Sequence, residues 1–562
     1  MYEFDVILNK IGGLGPYQIV LILMVSYSSL PSGYISMSPV FVSYYPDYRC
    51  RVPPIDNNSI YQLSEEEILN LTTPYDPDTD KYDTCYRYGY NLSLCEDDPS
   101  QCVNKSADPI RCDVGYHYDT SVFTETTITE FNLVCDKSYR DTISLTIYMV
   151  GAFLGTLVFG NLSDRWGRKP ILTLTFLVVS LALLGSSFAN QIWIFDLCRF
   201  LVSFFGVGSF ITSFVYLLEI IPEKWTTVVG VSFQIGYALG YMILSGIAYQ
   251  WRNWHQIQFV LSMFSLPSLV FLIFIPESPR WLFTTNRVEK GKEVSRRIAK
   301  YNKVKLNEPE VWDEAIIEKD ELQDFKKEEN GENERKYSTL DLFKTPKIRI
   351  VALKVIFCWF VNDLVYYGVS LNVASLSGDV FLNNTLGGIF EIGIYLFVIF
   401  FMDRTGRRLM LSLTFTVAGV GLLSSTIVNI YAGQDQTLLT LSQVFALAGR
   451  TGIAGSYAII YNVTTEIYPT VVRAIGVSAG SMTAQIGSIL VPFFIALDNY
   501  ISWLPNTIFS ALALLAAIMA YSLPETNKQN LMETIEEAEM FYSGKQDPVI
   551  DARETSSMYT RL

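Results

Sequence analysis

GNLSDRWGRKP, residues 160–170, ends an apolar stretch and places Asp164, Arg165, Arg168 and Lys169 within six residues. A second charged turn repeats it. Asp164-Arg165-x-Gly167-Arg168-Lys169 is answered 239 residues later by Asp403-Arg404-x-Gly406-Arg407-Arg408. Two further marks return at nearly the same offset: Glu219-x-x-Pro222 as Glu466-x-x-Pro469, 247 residues on, and Pro276-Glu277-Ser278 as Pro524-Glu525-Thr526, 248 residues on. Three separate marks repeated at a nearly constant offset make the chain an internal duplication.

Composition says what was duplicated. Half of the 562 residues are hydrophobic and only 17% are charged, against about a quarter in ordinary soluble proteins. Apolar runs of roughly 20 residues, long enough to cross a hydrocarbon core, recur along the chain. Twelve are counted: 17–43, 142–161, 170–189, 193–221, 229–249 and 255–275, then 350–372, 386–402, 409–431, 437–462, 473–497 and 504–523. The first is too long and too polar at its end for a cleaved leader, so it is expected to stay as a span. The predicted fold is an all-α membrane protein of twelve transmembrane helices in two six-helix pseudo-repeats.

Basic residues give the orientation, because short loops rich in Lys and Arg stay on the cytoplasmic side. DRWGRK, the stretch 283–349 and DRTGRR are basic, whereas ANQ (189–191), SLSGDVFLNN (375–384), YAGQDQ (431–436) and LDNYIS (497–502) hold no Lys or Arg. Both termini are therefore expected in the cytoplasm. The expected organisation is a cytoplasmic N-terminus (1–16), an N-terminal bundle (17–282) that includes an extracellular loop (44–140), a cytoplasmic linker (283–349), a C-terminal bundle (350–523) and a cytoplasmic tail (524–562).

Three features suit an outward placement of 44–140. It holds Cys50, Cys85, Cys95, Cys102, Cys112 and Cys135, six of the eight cysteines, as a disulfide framework in an oxidising compartment would. Fifteen pairings are possible. It carries sequons at Asn57, Asn70, Asn91 and Asn104, and it supplies ten of the fourteen net negative charges. No C-x-x-C pair occurs there and only His117 accompanies the cysteines, so disulfides rather than a metal are expected. Cys198 and Cys358 lie in apolar runs and read as packing residues.

Two six-helix halves joined by a charged linker form an architecture for alternating access around a site near the bilayer midplane. No G-x-x-x-x-G-K-[ST] loop is present, so direct ATP-driven pumping has no support, and no nucleophile–base grouping suggests an enzyme. No cofactor, metal or nucleic-acid partner is expected. The expected partners are a small organic ion and the lipid bilayer. The terminal Thr560-Arg561-Leu562 could add a strand to a PDZ partner, or be chance.

The charged turns read either as topology signals or as a conformational latch. In the latch, Asp164 accepts bonds at a helix N-terminus and the arginines of Asp164-Arg165-x-x-Arg168 and Asp403-Arg404-x-x-Arg407 reach carboxylates of the same half, Glu219 and Glu466. Inside the spans, Trp359, Asn362, Asp363, Tyr366 and Ser370 fall at i, i+3, i+4, i+7 and i+11, one helical stripe. An acid between aromatic rings can line a cavity and attract a cation; equally, the rings can be packing and Asp363 a structural partner of a basic group.

GNLSDRWGRK fits the G-x-L-x-D-R-x-G-R-K loop of the major facilitator superfamily. With TEFNLVCD (129–136), PESPRWL (276–282), TEIYPTVVR (465–473) and LPET (523–526), the chain resembles solute carrier family 22, the organic cation and carnitine transporter branch. The resemblance implies a polyspecific transporter at the plasma membrane. It places Trp359, Tyr366, Gln234 and Tyr457 at pocket positions, with Phe210 and Phe214 where cation transporters carry Trp and Tyr. Asn362 falls where those have an acid, and Asp363 is shifted by one. Gln485 departs from both branches, since cation transporters place an Asp there and anion and carnitine-type members an Arg. Arg450 resembles the cation branch's Gly-Arg pair, or neutralises an acid such as Glu391. Three readings follow: uptake of organic cations or zwitterions, organic anion exchange centred on Arg450, and a transport-inactive receptor-like or scaffold protein.

Overall fold

The computed structural model describes residues 4–53, 55–56, 63–76, 81–90, 103–305, 312, 338–375, 378–433, 435–499, 501, 503–527, 532 and 534–543. Asn57, Asn91, Cys95, Cys102, the middle of the linker and Thr560–Leu562 lie outside these residues. The long helices are α1 (Pro16–Val42, in three pieces), α2 (Tyr139–Trp166), α3 (Arg168–Ser186), α4 (Ile192–Glu219), α5 (Thr226–Gln250) and α6 (Trp254–Phe274). In the second half they are α7 (Pro346–Leu371), α8 (Val380–Thr405), α9 (Arg407–Ala432), α10 (Gln436–Ile467), α11 (Arg473–Ala496) and α12 (Leu504–Tyr521).

Eleven of these are long and apolar enough to cross a membrane. α7 has the length, 26 residues, but Lys347, Arg349, Lys354, Asn362 and Asp363 make it too polar to pass on composition alone. Local chemistry sets the helix ends. Pro346 opens α7 and Pro505 sits in the first turn of α12, where a missing N–H costs nothing. Asp379 caps α8 through Leu382 N–H at 2.9 Å, and Asp435 caps α10 through Thr437 N–H at 2.8 Å. The basic segment after α6 is partly ordered, as short helices Pro279–Thr284 and Val288–Tyr301.

Two compact units partition the chain. The larger, Met1–Val40 with Thr142–Tyr249 and Gln258–Leu562, carries the helical bundle. In it α3 packs on α4, and α9 packs on α10 and α12, while α7 is covered by α10, α11 and α12. The smaller unit joins Phe41–Asp141 to Gln250–Ile257. It is built of two-stranded antiparallel pairs, Tyr48–Cys50 with Tyr116–Tyr118 and Tyr86–Arg87 with Ile110–Arg111 among them. A small core of Val52, Ile55, Ile68 and Val103 is too slight to hold such a unit alone. Disulfides Cys50–Cys112 and Cys85–Cys135 supply the rest, choosing among pairings that the sequence leaves open.

Candidate functional site

A cavity of about 1870 Å³ runs through the bundle. Its wall is aromatic: Tyr148 of α2, Phe210 and Phe214 of α4, Tyr237 of α5, Tyr366 and Tyr367 of α7, Tyr395 of α8, and Tyr457 and Tyr461 of α10. Gln234 of α5 and Gln485 of α11 add neutral amides. Every charged lining residue among those described, Asp164, Arg280, Arg407, Glu466, Arg473 and Glu537, sits at a helix end or in a segment beyond α6 or α12. The cavity thus reaches the face that bears the charged turns, and its wall within the spans carries no formal charge.

The rings make a connected surface. Tyr366 and Tyr457 have centroids 5.5 Å apart, Tyr366 and Tyr367 5.4 Å, and Phe210 packs on Phe233 at 5.0 Å. Trp359 meets Tyr461 edge-on at 4.5 Å from behind. Trp359, Asn362, Asp363 and Arg450 are buried and do not line the cavity. Trp359 Nε1 donates to Thr464 Oγ1 at 2.9 Å, Ser456 Oγ donates to Asn362 Oδ1, and Ser488 Oγ donates to Asp363 Oδ2 at 3.0 Å. The α7 stripe therefore splits: Tyr366 faces the cavity, Trp359, Asn362 and Asp363 fill the seams with α10 and α11, and Ser370 is buried off the cavity wall.

Behind the ring wall lies a buried carboxylate, Glu391 of α8, 1% exposed. Tyr395 and Tyr366 donate to its Oε1 at 2.6 and 3.1 Å, and Tyr241 donates to Oε2 at 2.6 Å. Two of these three tyrosines line the cavity, so the acid is one hydroxyl away from it. Arg450 makes no ion pair with Glu391 among the described residues; its guanidinium lies over the Tyr241 ring, 5.1 Å from the centroid. Among the buried arginines, Arg199 of α4 also lies within a span, 6% exposed and 5.3 Å from the centroid of Tyr148.

At the charged turns, both halves build the same network. Arg168 pairs with Asp164 at 2.8 Å and Glu219 at 2.6 Å; Arg407 pairs with Asp403 at 2.8 Å and Glu466 at 3.0 Å. Arg165 and Arg404 are exposed and make no ion pair among the described residues. The helix N-terminus is not served by Asp164, which lies in the last turn of α2 where the dipole disfavours an anion. Glu277 takes that place, accepting from Arg168 N–H at 3.0 Å and Lys169 N–H at 3.3 Å, and Glu525 does the same for Arg407 N–H at 2.9 Å and Arg408 N–H at 3.2 Å. Burial pushes the Glu277 carboxyl above its ordinary value, and the N–H groups of Ser278, Lys169 and Arg168 pull it back. The repeated PES and PET triplets are thus the second component of each network.

The family model for sugar (and other) transporters matches residues 104–538. An organic cation transporter protein of Drosophila melanogaster is 32% identical, over 96% of this chain and 95% of its own length. Organic cation/carnitine transporter 2 of Homo sapiens is 30% identical, over 96% and 94%, and a beta-alanine transporter of Drosophila melanogaster is 30% identical, over 96% and 89%. The inward-open xylose transporter XylE of E. coli shares the fold at a TM-score of 0.61 and 14% identity, over 93% of this chain and all of that one. The chain therefore belongs to the sugar (and other) transporter family of the major facilitator superfamily, as a member of solute carrier family 22, and is a multi-pass membrane transporter rather than an enzyme.

Proposed function

We propose that the protein moves organic cations or zwitterions, quaternary amines and carnitine- or betaine-like compounds, across the plasma membrane by alternating access, as a secondary-active or facilitative transporter. The two halves, 17–282 and 350–523, rock about the cavity, with both termini and the charged turns in the cytoplasm. The observation that carries this reading is the ring wall backed by Glu391. Tyr366 and Tyr395 donate hydroxyl hydrogen bonds to a carboxylate, which makes their faces richer in electrons and better partners for a cation. An uncharged wall within the spans also suits zwitterions, and the relatives named for carnitine and beta-alanine support that breadth. Phe210, Phe214, Gln234, Tyr366, Tyr457 and Gln485 contact substrate in this reading, while Trp359, Asn362, Asp363 and Arg450 support them from the layer behind.

Anion exchange is the second reading, carried by the buried guanidiniums of Arg450 and Arg199. The C-terminal Thr560-Arg561-Leu562 is proposed as a PDZ ligand, which is compatible with either. Uptake in cells of low background separates the readings, using a labelled quaternary cation, carnitine or ergothioneine, and an organic anion, at two pH values with and without sodium. Saturable cation or zwitterion uptake is expected. Saturable anion uptake without either would replace the first reading by the second.

A further inference from the structure

A set of metal-ligating side chains lies away from the cavity, in the unit formed by Phe41–Asp141 and Gln250–Ile257. One ligand atom each from Glu125, Glu130 and His255 lie within 4.8 Å of one another. The backbone holds them there. Thr124 N–H donates to Arg252 O at 2.9 Å and Trp254 N–H to Glu125 O at 3.1 Å, so the chain at 124–125 runs beside 252–254. Glu130 closes the short helix Thr127–Glu130, which Thr126 starts with a reciprocal cap.

Each carboxylate is oriented through one oxygen by a neutral donor. Asn253 Nδ2 donates to Glu125 Oε2 at 2.8 Å, and Trp254 Nε1 donates to Glu130 Oε2 at 2.7 Å. Outer-sphere donors orient the ligands of metal sites in the same way. Glu125 Oε1 and Glu130 Oε1 take no bond among the described residues, and His255 Nε2 stands 2.8 Å from Glu130 Oε2. The side chains of Glu130 and His255 are 24% and 30% exposed, so a hydrated ion reaches them from solvent.

We propose that Glu125, Glu130 and His255 form a binding site for a divalent transition-metal ion, zinc being the best match. One imidazole nitrogen and two carboxylate oxygens are three ligands of the kind zinc takes at about 2.0–2.2 Å, leaving a fourth position for water. Calcium and magnesium favour all-oxygen sets of six or more ligands, which this trio does not supply. Binding exchanges the His255–Glu130 hydrogen bond for two metal bonds and needs the imidazole nitrogen unprotonated, so protons compete with zinc. No spacing motif announces the site, because positions 125, 130 and 255 meet only in the fold. A metal-free hydrogen-bonded lock is the alternative.

The full-length protein, purified in detergent and stripped with chelator, is titrated with zinc chloride while binding and thermal unfolding are followed. Wild type is expected to bind one zinc per chain at micromolar concentration with a rise in Tm. Glu125→Gln and His255→Asn, the second of which keeps a donor for Glu130, are expected to weaken binding at least about 10-fold while remaining monodisperse. His117→Asn, which removes the only other histidine, is expected to bind as wild type. No zinc binding below millimolar, or equal binding by folded His255→Asn, overturns the site.

Discussion

At the scale of single residues, the cavity wall turns on tyrosines whose hydroxyls point away from the lumen. Tyr366 is the clearest, since its ring lines the cavity while its hydroxyl reaches Glu391. A cation held on such a face gains about 0.5–2 kcal/mol, so Tyr366→Leu is expected to raise KM for a quaternary amine about 2- to 30-fold. Tyr366→Phe keeps the ring, loses the 3.1 Å bond and is expected to fall between wild type and Tyr366→Leu. Wild-type KM in both variants, measured by initial uptake rates, would remove Tyr366 from the site. That Tyr366, Tyr457 and the amides Gln234 and Gln485 line the cavity was legible in the sequence only through the family resemblance, which implied those positions. Glu391, Tyr241, Tyr395 and Tyr237 were not legible as a group: they come from α5 and α8, share no motif, and a lone Tyr in an apolar helix looks like packing. The reading of Asp363 as a lining acid met a different obstacle. A stripe marks one face only when the opposite face meets lipid, and α7 is buried almost all round from Cys358 to Leu371.

Among the elements, the charged turns do two jobs that the sequence shows only as one motif. Arg168 is held by two acids and its own N–H is capped by a third, 109 residues away in sequence. The turn between α2 and α3 needs Gly167, at φ 109°, and a Cβ there would stand 2.5 Å from Glu277 Oε2; Gly406, at φ 94°, meets Glu525 Oε2 at 2.8 Å in the second half. Gly167→Ala is therefore expected to lower the amount of folded protein at the surface. Asp164 behaves differently, because its side chain is 71% exposed and an exposed pair contributes little to stability. Asp164→Asn is expected to keep surface expression close to wild type while cutting turnover, since the pair then matters to exchange between states. Surface biotinylation alongside uptake separates the two, and lost insertion of Asp164→Asn would make the turn a topology signal only. The duplication itself was readable because both networks use the same residue types at a nearly constant offset. The role of Glu277 and Glu525 was not, because a capping acid more than a hundred residues from its helix leaves no local pattern.

For the whole molecule, the twelve apolar runs and their repeat carry the architecture, and the cavity adds the state in which it stands. Lining residues run from Ser32 and Tyr148 down to Arg473, Met532 and Phe541, beyond the ends of the spans, so this state is open toward the charged turns. The short helix Ile535–Tyr542 contributes to that mouth and is fastened to α7, where Glu539 accepts from Lys347 N–H at 2.9 Å and Ile348 N–H at 3.1 Å. Alternating access requires the same wall to be reached from the opposite face in another state, with no path open to both at once. Ser481 of α11 lines the cavity and offers a test, because a cysteine there replaces one small polar side chain by another. In a Cys198→Ser background, Ser481→Cys is expected to react with a membrane-impermeant thiol reagent in inside-out vesicles, and a transported cation is expected to slow that reaction. In intact cells the reaction is expected to be slow without substrate and faster while substrate cycles. Equal, substrate-independent labelling from both sides would describe a channel and not a carrier, and would remove the rocking of the two halves from the mechanism.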